Sequence, residues 1–215
     1  PTMSRRSSKP IIFDLSNLDS IKDDQVLIGL INKSLATINK TFEQYRFDEI
    51  ALCFNGGKDC VVLLHLIHHV LVQRHIKNIK NNNNNNNNID NNNRVNKDVD
   101  DIPQLRTLYF KANDCFEQVT KFTEECAASW PQFIRVSPIL DWDYCNVWKF
   151  LKTFNVPYCT LYDEGYTSIG NKGDTVPNPA LKDESTGQFS PAHLLRDGTL
   201  ERSGRQNRPK LVQTN

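Results

Sequence analysis

Five residues, Asn55-Gly56-Gly57-Lys58-Asp59, constrain this chain more than any others. They follow a short apolar run, Ile50-Ala51-Leu52-Cys53-Phe54, which has the character of a strand buried on both faces, as in a parallel sheet. After them, between Cys60 and Gln73, Val61, Val62, Leu63, Leu64, Leu66, Ile67, Val70 and Leu71 cover most of a helix surface. A strand, a glycine turn and a buried helix open a βαβ unit, so the sequence predicts an α/β fold: a Rossmann-like parallel sheet with helices on both faces. Adjacent glycines let the backbone approach a ligand closely and turn its N–H groups inward. The helix that follows directs its positive end at the same spot, and Lys58 adds a cation. The turn is therefore a candidate cradle for phosphate or pyrophosphate, with the amides of Gly56, Gly57 and Lys58 as donors. It is not a Walker A loop, because the first glycine is missing and Asp59 stands where Ser or Thr would follow the lysine. A carboxylate beside a polyphosphate repels it unless a divalent cation lies between, which makes Asp59 a candidate magnesium ligand. On glycine content alone, a plain tight turn is the alternative.

The rest of the chain fits one domain around this unit. Residues 1–19 read as a flexible polar arm, residues 20–205 as the domain, and residues 206–215 as a tail. Ser20 or Asp23 is placed to cap a first helix, in which Leu27, Ile31, Leu35, Ile38 and Phe42 recur on one face. Residues 77–102, with eight consecutive asparagines from Asn81 to Asn88, read as a disordered surface insertion, since asparagine favours neither helix nor strand. A self-associating asparagine-rich tract is the functional alternative. Leu105-Arg106-Thr107-Leu108-Tyr109-Phe110 reads as a second strand, followed by a helix carrying Phe116, Val119 and Phe122. Phe133-Ile134-Arg135-Val136 is a further candidate strand. Asp141 is placed to cap a helix whose face is Tyr144, Val147, Trp148, Leu151 and Phe154, closed by Asn155-Val156-Pro157. From Tyr158 onward the chain is rich in glycine and proline turns, and such a stretch serves function more often than it builds a core.

Composition excludes several classes. At 215 residues the chain is long enough for one domain with a sizeable core, and its formal net charge of +1 argues for neither nucleic acid nor an acidic membrane surface as partner. No apolar run has the length of a membrane span, and the basic start is not followed by the apolar stretch of a secretory signal. The six cysteines include no C-x-x-C pair, so they read as reduced thiols of a cytoplasmic protein rather than as zinc ligands or disulfides. His65, His68 and His69 on the buried helix read as surface or internally bonded side chains. Oligomeric state is not legible.

Phe54-Asn55-Gly56-Gly57-Lys58-Asp59-Cys60 resembles the modified P-loop of eukaryotic-type FAD synthases, which belong with the PAPS-reductase-like and ATP pyrophosphatase domains (the adenine nucleotide alpha hydrolase-like fold). Three further blocks resemble that family in order. Pro138-Ile139-Leu140-Asp141-Trp142 with Val147-Trp148 is similar to its leucine-aspartate-tryptophan block. The run from Val156 through Tyr162-Asp163-Glu164-Gly165-Tyr166-Thr167-Ser168-Ile169-Gly170, with Asn178-Pro179, is similar to its tyrosine-rich substrate loop, the most specific of the blocks. Pro191-Ala192, Leu194-Leu195, Glu201-Arg202 and Arg205 are similar to its C-terminal arginine motif. The resemblance covers most of residues 47–205. It implies an FMN adenylyltransferase acting on ATP and FMN with magnesium. It further implies that Phe54, Asn55, Gly56, Gly57, Lys58, Asp59, Asp141 and Trp142 serve ATP, with Lys58 and Asp59 catalytic and Asp59 on the metal. Tyr162, Gly165, Tyr166, Thr167, Ser168, Asn178, Arg202 and Arg205 would serve FMN.

The chain also departs from the family. A central βα segment carrying an arginine-arginine-threonine-aspartate-proline motif is absent, since Glu125-Cys126-Ala127-Ala128 runs almost directly into Ser129-Trp130-Pro131. Asn146 stands where the family has an aspartate. Two alternatives therefore stay open: a catalytically degenerate nucleotide or flavin binder, and a PAPS-type reductase. The second lacks its reactive C-terminal cysteine, because no cysteine follows Cys159.

Overall fold

The computed structural model describes residues 21–83, 105–108, 134–170 and 173–205. Helix α1, Gln25–Gln44, buries Leu27, Ile31 and Ile38 on the expected stripe. Its cap is Asp24 rather than Ser20 or Asp23: the Asp24 side chain accepts the Leu27 N–H at 3.1 Å. The shift has a local cause. Ile21 is buried and its carbonyl accepts the Asp24 N–H at 2.7 Å, so the chain turns just before Asp24 and leaves that carboxylate facing the first helical turn.

Strand β1, Ala51–Cys53, runs parallel to β2, Arg106–Leu108, with Leu52 opposite Thr107. The Phe54 N–H donates to the Leu108 carbonyl at 3.0 Å and extends the ladder toward the glycine turn. The parallel pairing agrees with the βαβ reading. Burial on both faces does not: Leu52 is buried while Ala51 and Cys53 are exposed, so no described element covers that second face. Helix α2, Lys58–Asn83, connects the two strands in sequence and buries Val61, Val62, Leu66, Val70 and Leu71. It runs past residue 77 into Asn81–Asn83, which corrects the expected loop boundary there: once a helix is nucleated by its packed first turns, adding a residue of modest propensity costs well under 1 kcal/mol. The remainder of the asparagine tract and the helix expected around Phe116–Phe122 lie outside the described residues.

Ile134–Val136 forms no strand, and Ile134 is 71% exposed, because no described segment pairs with it. Helix α3, Tyr144–Thr153, buries Tyr144, Val147, Trp148, Phe150 and Leu151. Asp143, not Asp141, caps it by accepting the Asn146 N–H at 2.7 Å. Asp141 instead pairs with Lys33 on α1. The helix ends at Asn155, whose φ of 48° is the left-handed conformation that stops a helix and that asparagine tolerates.

Beyond Tyr158 the chain folds into short 3-10 turns at Thr160–Tyr162, Pro179–Leu181, Ala192–Leu194 and Gly198–Gly204. These borrow the helical core rather than building one: Tyr162, Leu181, Ala192 and Leu195 are buried in the same cluster as α1, α2 and α3. Gly165, at φ 89°, is required where this segment folds on itself, since a Cβ there would lie 2.7 Å from Cβ of Phe189. Among the described residues, no helix is long and apolar enough to cross a membrane.

Candidate phosphate-binding site

The glycine turn sits at the amino end of α2 with its own amides already ordered. Gly56 has a φ of 78°, a conformation that favours glycine. The Gly57 N–H donates to Oδ1 of Asn55 at 2.9 Å, closing a local turn. The Lys58 N–H donates to the Tyr162 hydroxyl, also at 2.9 Å. Gly57 supplies the first helical carbonyl, which accepts from the Val61 N–H at 3.0 Å. Two of the three amides expected to face phosphate are therefore engaged inside the protein. Helix geometry instead leaves the Asp59 and Cys60 N–H groups without intrahelical acceptors, and these carry the exposed positive end of α2. The Cys60 thiol lies 3.7 Å from the Cys53 carbonyl.

The side chain of Lys58 does not project from the turn. It is 2% exposed. Its ammonium pairs closely with Glu201, lies 3.5 Å from Oδ2 of Asp59, and sits 5.0 Å from the centre of the Tyr144 ring. A buried ammonium costs several kcal/mol unless it is paired and hydrogen-bonded. Here a carboxylate from the far end of the chain and an aromatic face meet that requirement. Asp59, by contrast, has a 55% exposed side chain.

Tyr162 is likewise buried rather than lining an open flavin pocket. Its ring meets Trp148 edge-on at 5.3 Å, and loss of solvation pushes its hydroxyl up to about 12, against the pull of the Lys58 amide. Burial also raises the Tyr144 hydroxyl, which donates to the Ala192 carbonyl at 2.6 Å. The tyrosine loop and the arginine segment are then tied together from within. Thr167 donates to the Glu201 carbonyl at 2.6 Å, and Nδ2 of the fully buried Asn178 reaches Oγ1 of Thr167 at 2.9 Å and the Leu200 carbonyl at 2.8 Å. The Thr167 and Asn178 side chains are thus internal struts. Arg205 lies across the loop: its Nε donates to Oγ of Ser168 at 3.1 Å and a terminal nitrogen to the Ile169 carbonyl at 2.7 Å. Arg202 is exposed within the 198–204 turn, while Arg205 is half-buried at its end. Tyr166 and Phe54 are half-buried beside these elements.

Asp141 and Trp142 find their contacts on α1. The Trp142 indole donates to Oγ of Ser34 at 2.9 Å, and that hydroxyl in turn lies 2.8 Å from the Pro138 carbonyl. A separate cleft of about 320 Å³, between α3 and the 191–195 segment, is lined by Tyr144, Trp148, Lys149, Lys152 and His193 among others. None of the residues assigned from sequence to ATP, FMN or metal lines it. Sequence reasoning missed Glu201 and Tyr144 as partners of Lys58. Glu201 lay inside a quoted block, but no local spacing connects it to a lysine 143 residues away.

Comparison with known proteins bears on the fold and the family. The phosphoadenosine phosphosulfate reductase domain family matches residues 112–177. The probable FAD synthase of Schizosaccharomyces pombe is 34% identical over 230 aligned residues, covering 88% of this chain and 84% of that protein. The probable FAD synthase of Caenorhabditis elegans is 33% identical across 84% of this chain, which spans 41% of that longer protein. The crystal structure of Candida glabrata FMN adenylyltransferase in complex with FMN and the ATP analogue AMPCPP superposes with a TM-score of 0.63 at 22% identity, covering 91% of this chain and 97% of that one. At that identity the superposition shows the shared fold. The sequence likeness, sustained over most of both chains in the fission yeast relative, shows that this chain belongs to the FAD synthase family.

Proposed function

We propose that this protein transfers the adenylyl group of ATP to the phosphate of FMN, giving FAD and pyrophosphate. The observation that carries the reading is the convergence at Lys58. The glycine turn meets the tyrosine loop 104 residues away and the arginine segment 143 residues away at a single buried lysine, Tyr162 at its backbone N–H and Glu201 at its ammonium. An adenylyl transfer between two anions needs this kind of arrangement, a polyphosphate cradle beside a cationic segment. The solved relatives bind an ATP analogue with FMN in one crystal, and FAD with inorganic pyrophosphate in another.

In this reading the polyphosphate lies over Asn55–Asp59, held by the amides of Asp59 and Cys60 and the positive end of α2. FMN lies along Gly165–Ser168, with Tyr166 beside the flavin and Arg202 free to clamp its phosphate through a guanidinium fork. Arg205 keeps Ser168–Gly170 in place, and Thr167 and Asn178 support that loop from beneath. Asp141 and Trp142 act from behind, by pinning their segment to α1. An FMN phosphate oxygen forms the new bond to the α-phosphorus of ATP while the bond to the bridging oxygen breaks, and that electron pair leaves with pyrophosphate. The nucleophile is already an anion, so no protein base is needed. Catalysis is positioning and charge neutralisation.

The residues present fit a magnesium ion carried in with the nucleotide. Asp59 offers one exposed carboxylate, and the described residues hold no cluster of three or more acidic, histidine or cysteine ligands that would bind a metal alone. Magnesium commonly uses one or two carboxylates together with substrate phosphates. When bound, it offsets the charge of the polyphosphate.

The test is turnover with ATP, FMN and magnesium, measured as FAD and pyrophosphate released. Asp59→Asn is expected to lower kcat by about 100-fold or more, of order 2.7 kcal/mol in the barrier, with a smaller loss of ATP affinity. Turnover near the original level in Asp59→Asn removes Asp59 from the mechanism. Binding of both substrates with no turnover by the unmodified chain makes it a degenerate relative.

A further inference from the structure

Lys58 stands between two carboxylates of unequal reach. Glu201 is in close contact with its ammonium and only 30% exposed, while Asp59 is 3.5 Å away and 55% exposed. An ammonium that is 2% exposed has to be paired. If Glu201 did not serve it, Asp59 is the remaining described carboxylate in contact with it, and it belongs to the glycine turn itself. Two roles compete for Asp59: neutralising the buried lysine and binding a cation that arrives with a polyphosphate.

We infer that Glu201 is a positioning residue that takes up the charge of Lys58 and so leaves Asp59 free for the cation. The inference rests on the adenylyl-transfer reading and adds a residue to it. Glu201 is held for this task by its surroundings. The Thr167 hydroxyl bonds its carbonyl, and Asn178 bonds the carbonyl of Leu200, so the carboxylate reaches Lys58 from a fixed backbone. The other face of the ammonium is covered by the Tyr144 ring, which neutralises no full charge. Without Glu201, Lys58 draws Asp59 toward itself, and the cation loses its protein ligand to an internal ion pair.

The experiment measures the magnesium concentration at which ATP binds half-maximally, by calorimetry on the full chain, with turnover alongside. Glu201→Gln keeps the size and the hydrogen-bonding carbonyl but removes the charge. It is expected to raise that magnesium concentration about tenfold, equivalent to about 1.4 kcal/mol, while ATP affinity at saturating magnesium stays within about threefold. Glu201→Asp is expected to recover part of the loss. The decisive variant is Glu201→Gln combined with Lys58→Met, in which the ammonium itself is gone and a buried apolar chain of similar length replaces it. The double variant is expected to return to the original magnesium requirement, because Asp59 again has no rival. A merely structural role for Glu201 would leave the double variant as impaired as the single one, and that result overturns the inference. So does an unchanged magnesium requirement in a Glu201→Gln protein whose thermal unfolding shows it to be folded. A Glu201→Gln protein that does not fold shifts the comparison to Glu201→Asp, whose magnesium requirement must then exceed that of the unmodified chain. If the unmodified chain does not bind ATP with magnesium at all, the adenylyl-transfer reading fails, and this inference with it.

Discussion

At the scale of single residues, the Tyr162 hydroxyl has a double task. It accepts the buried Lys58 N–H and it stays protonated in surroundings that disfavour the phenolate. Tyr162→Phe removes the acceptor and leaves that N–H without a partner. The expected loss is about 1–3 kcal/mol of stability, read as a lower denaturation midpoint at neutral pH. The raised ionisation also gives alkaline behaviour a sign. In the folded protein the proton leaves only near pH 12, whereas in the unfolded chain it leaves near 10, so between these values the folded state holds more protons. Stability that is complete below pH 10 is therefore lost as the pH rises toward 12. Tyr144 acts in the same direction. Tyr162→Phe is expected to flatten that alkaline decline without abolishing it. An identical decline in the variant would remove Tyr162 as its source.

At the scale of elements, two aspartates near α3 look equivalent in the sequence and are not. Asp143 caps the helix and Asp141 forms an exposed ion pair with Lys33. Asp143→Ala is expected to cost about 1 kcal/mol, and Asp141→Ala within about 0.5 kcal/mol, both by urea unfolding. The reverse order would mean that the cap lies upstream. The same comparison shows what the sequence made legible. The periodic apolar stripes of α1 and α3 and the strand-turn-helix around Gly56 were readable because each is decided within a few residues. Cap positions were missed, at Asp24 by one residue from Asp23 and four from Ser20 and at Asp143 by two, because the turn leading into each helix picks the capping oxygen. Ile134–Val136 has strand-like composition, but a strand needs a neighbour, and composition does not show whether one is there. The fate of Lys58 was the least legible. A lysine beside two glycines looks like a phosphate ligand, and only the return of Glu201 from the other end of the domain buries it. For Thr167 and Asn178 the signal was presence in a block; that they brace the loop from inside emerges only when the 198–204 turn is docked.

At the scale of the molecule, the site is assembled across long sequence separations. The helical core of α1, α2 and α3 includes none of residues 198–205, yet Lys58 of the glycine turn pairs with Glu201 among them. A chain ending at Asp197 is expected to keep most of its helical circular dichroism while its ATP affinity at limiting magnesium falls at least tenfold. Unchanged affinity in that truncated chain would show that the glycine turn is self-sufficient. The pairing of Lys58 with Glu201 also sets a schedule for biosynthesis. At about 5–20 residues emerging per second, the 143 residues between them take on the order of 7–30 seconds to appear. Throughout that interval the nascent chain carries a lysine whose neutralising partner has not yet been translated. A chain cut short before Glu201 therefore carries Lys58 without the carboxylate that pairs with it in the folded protein.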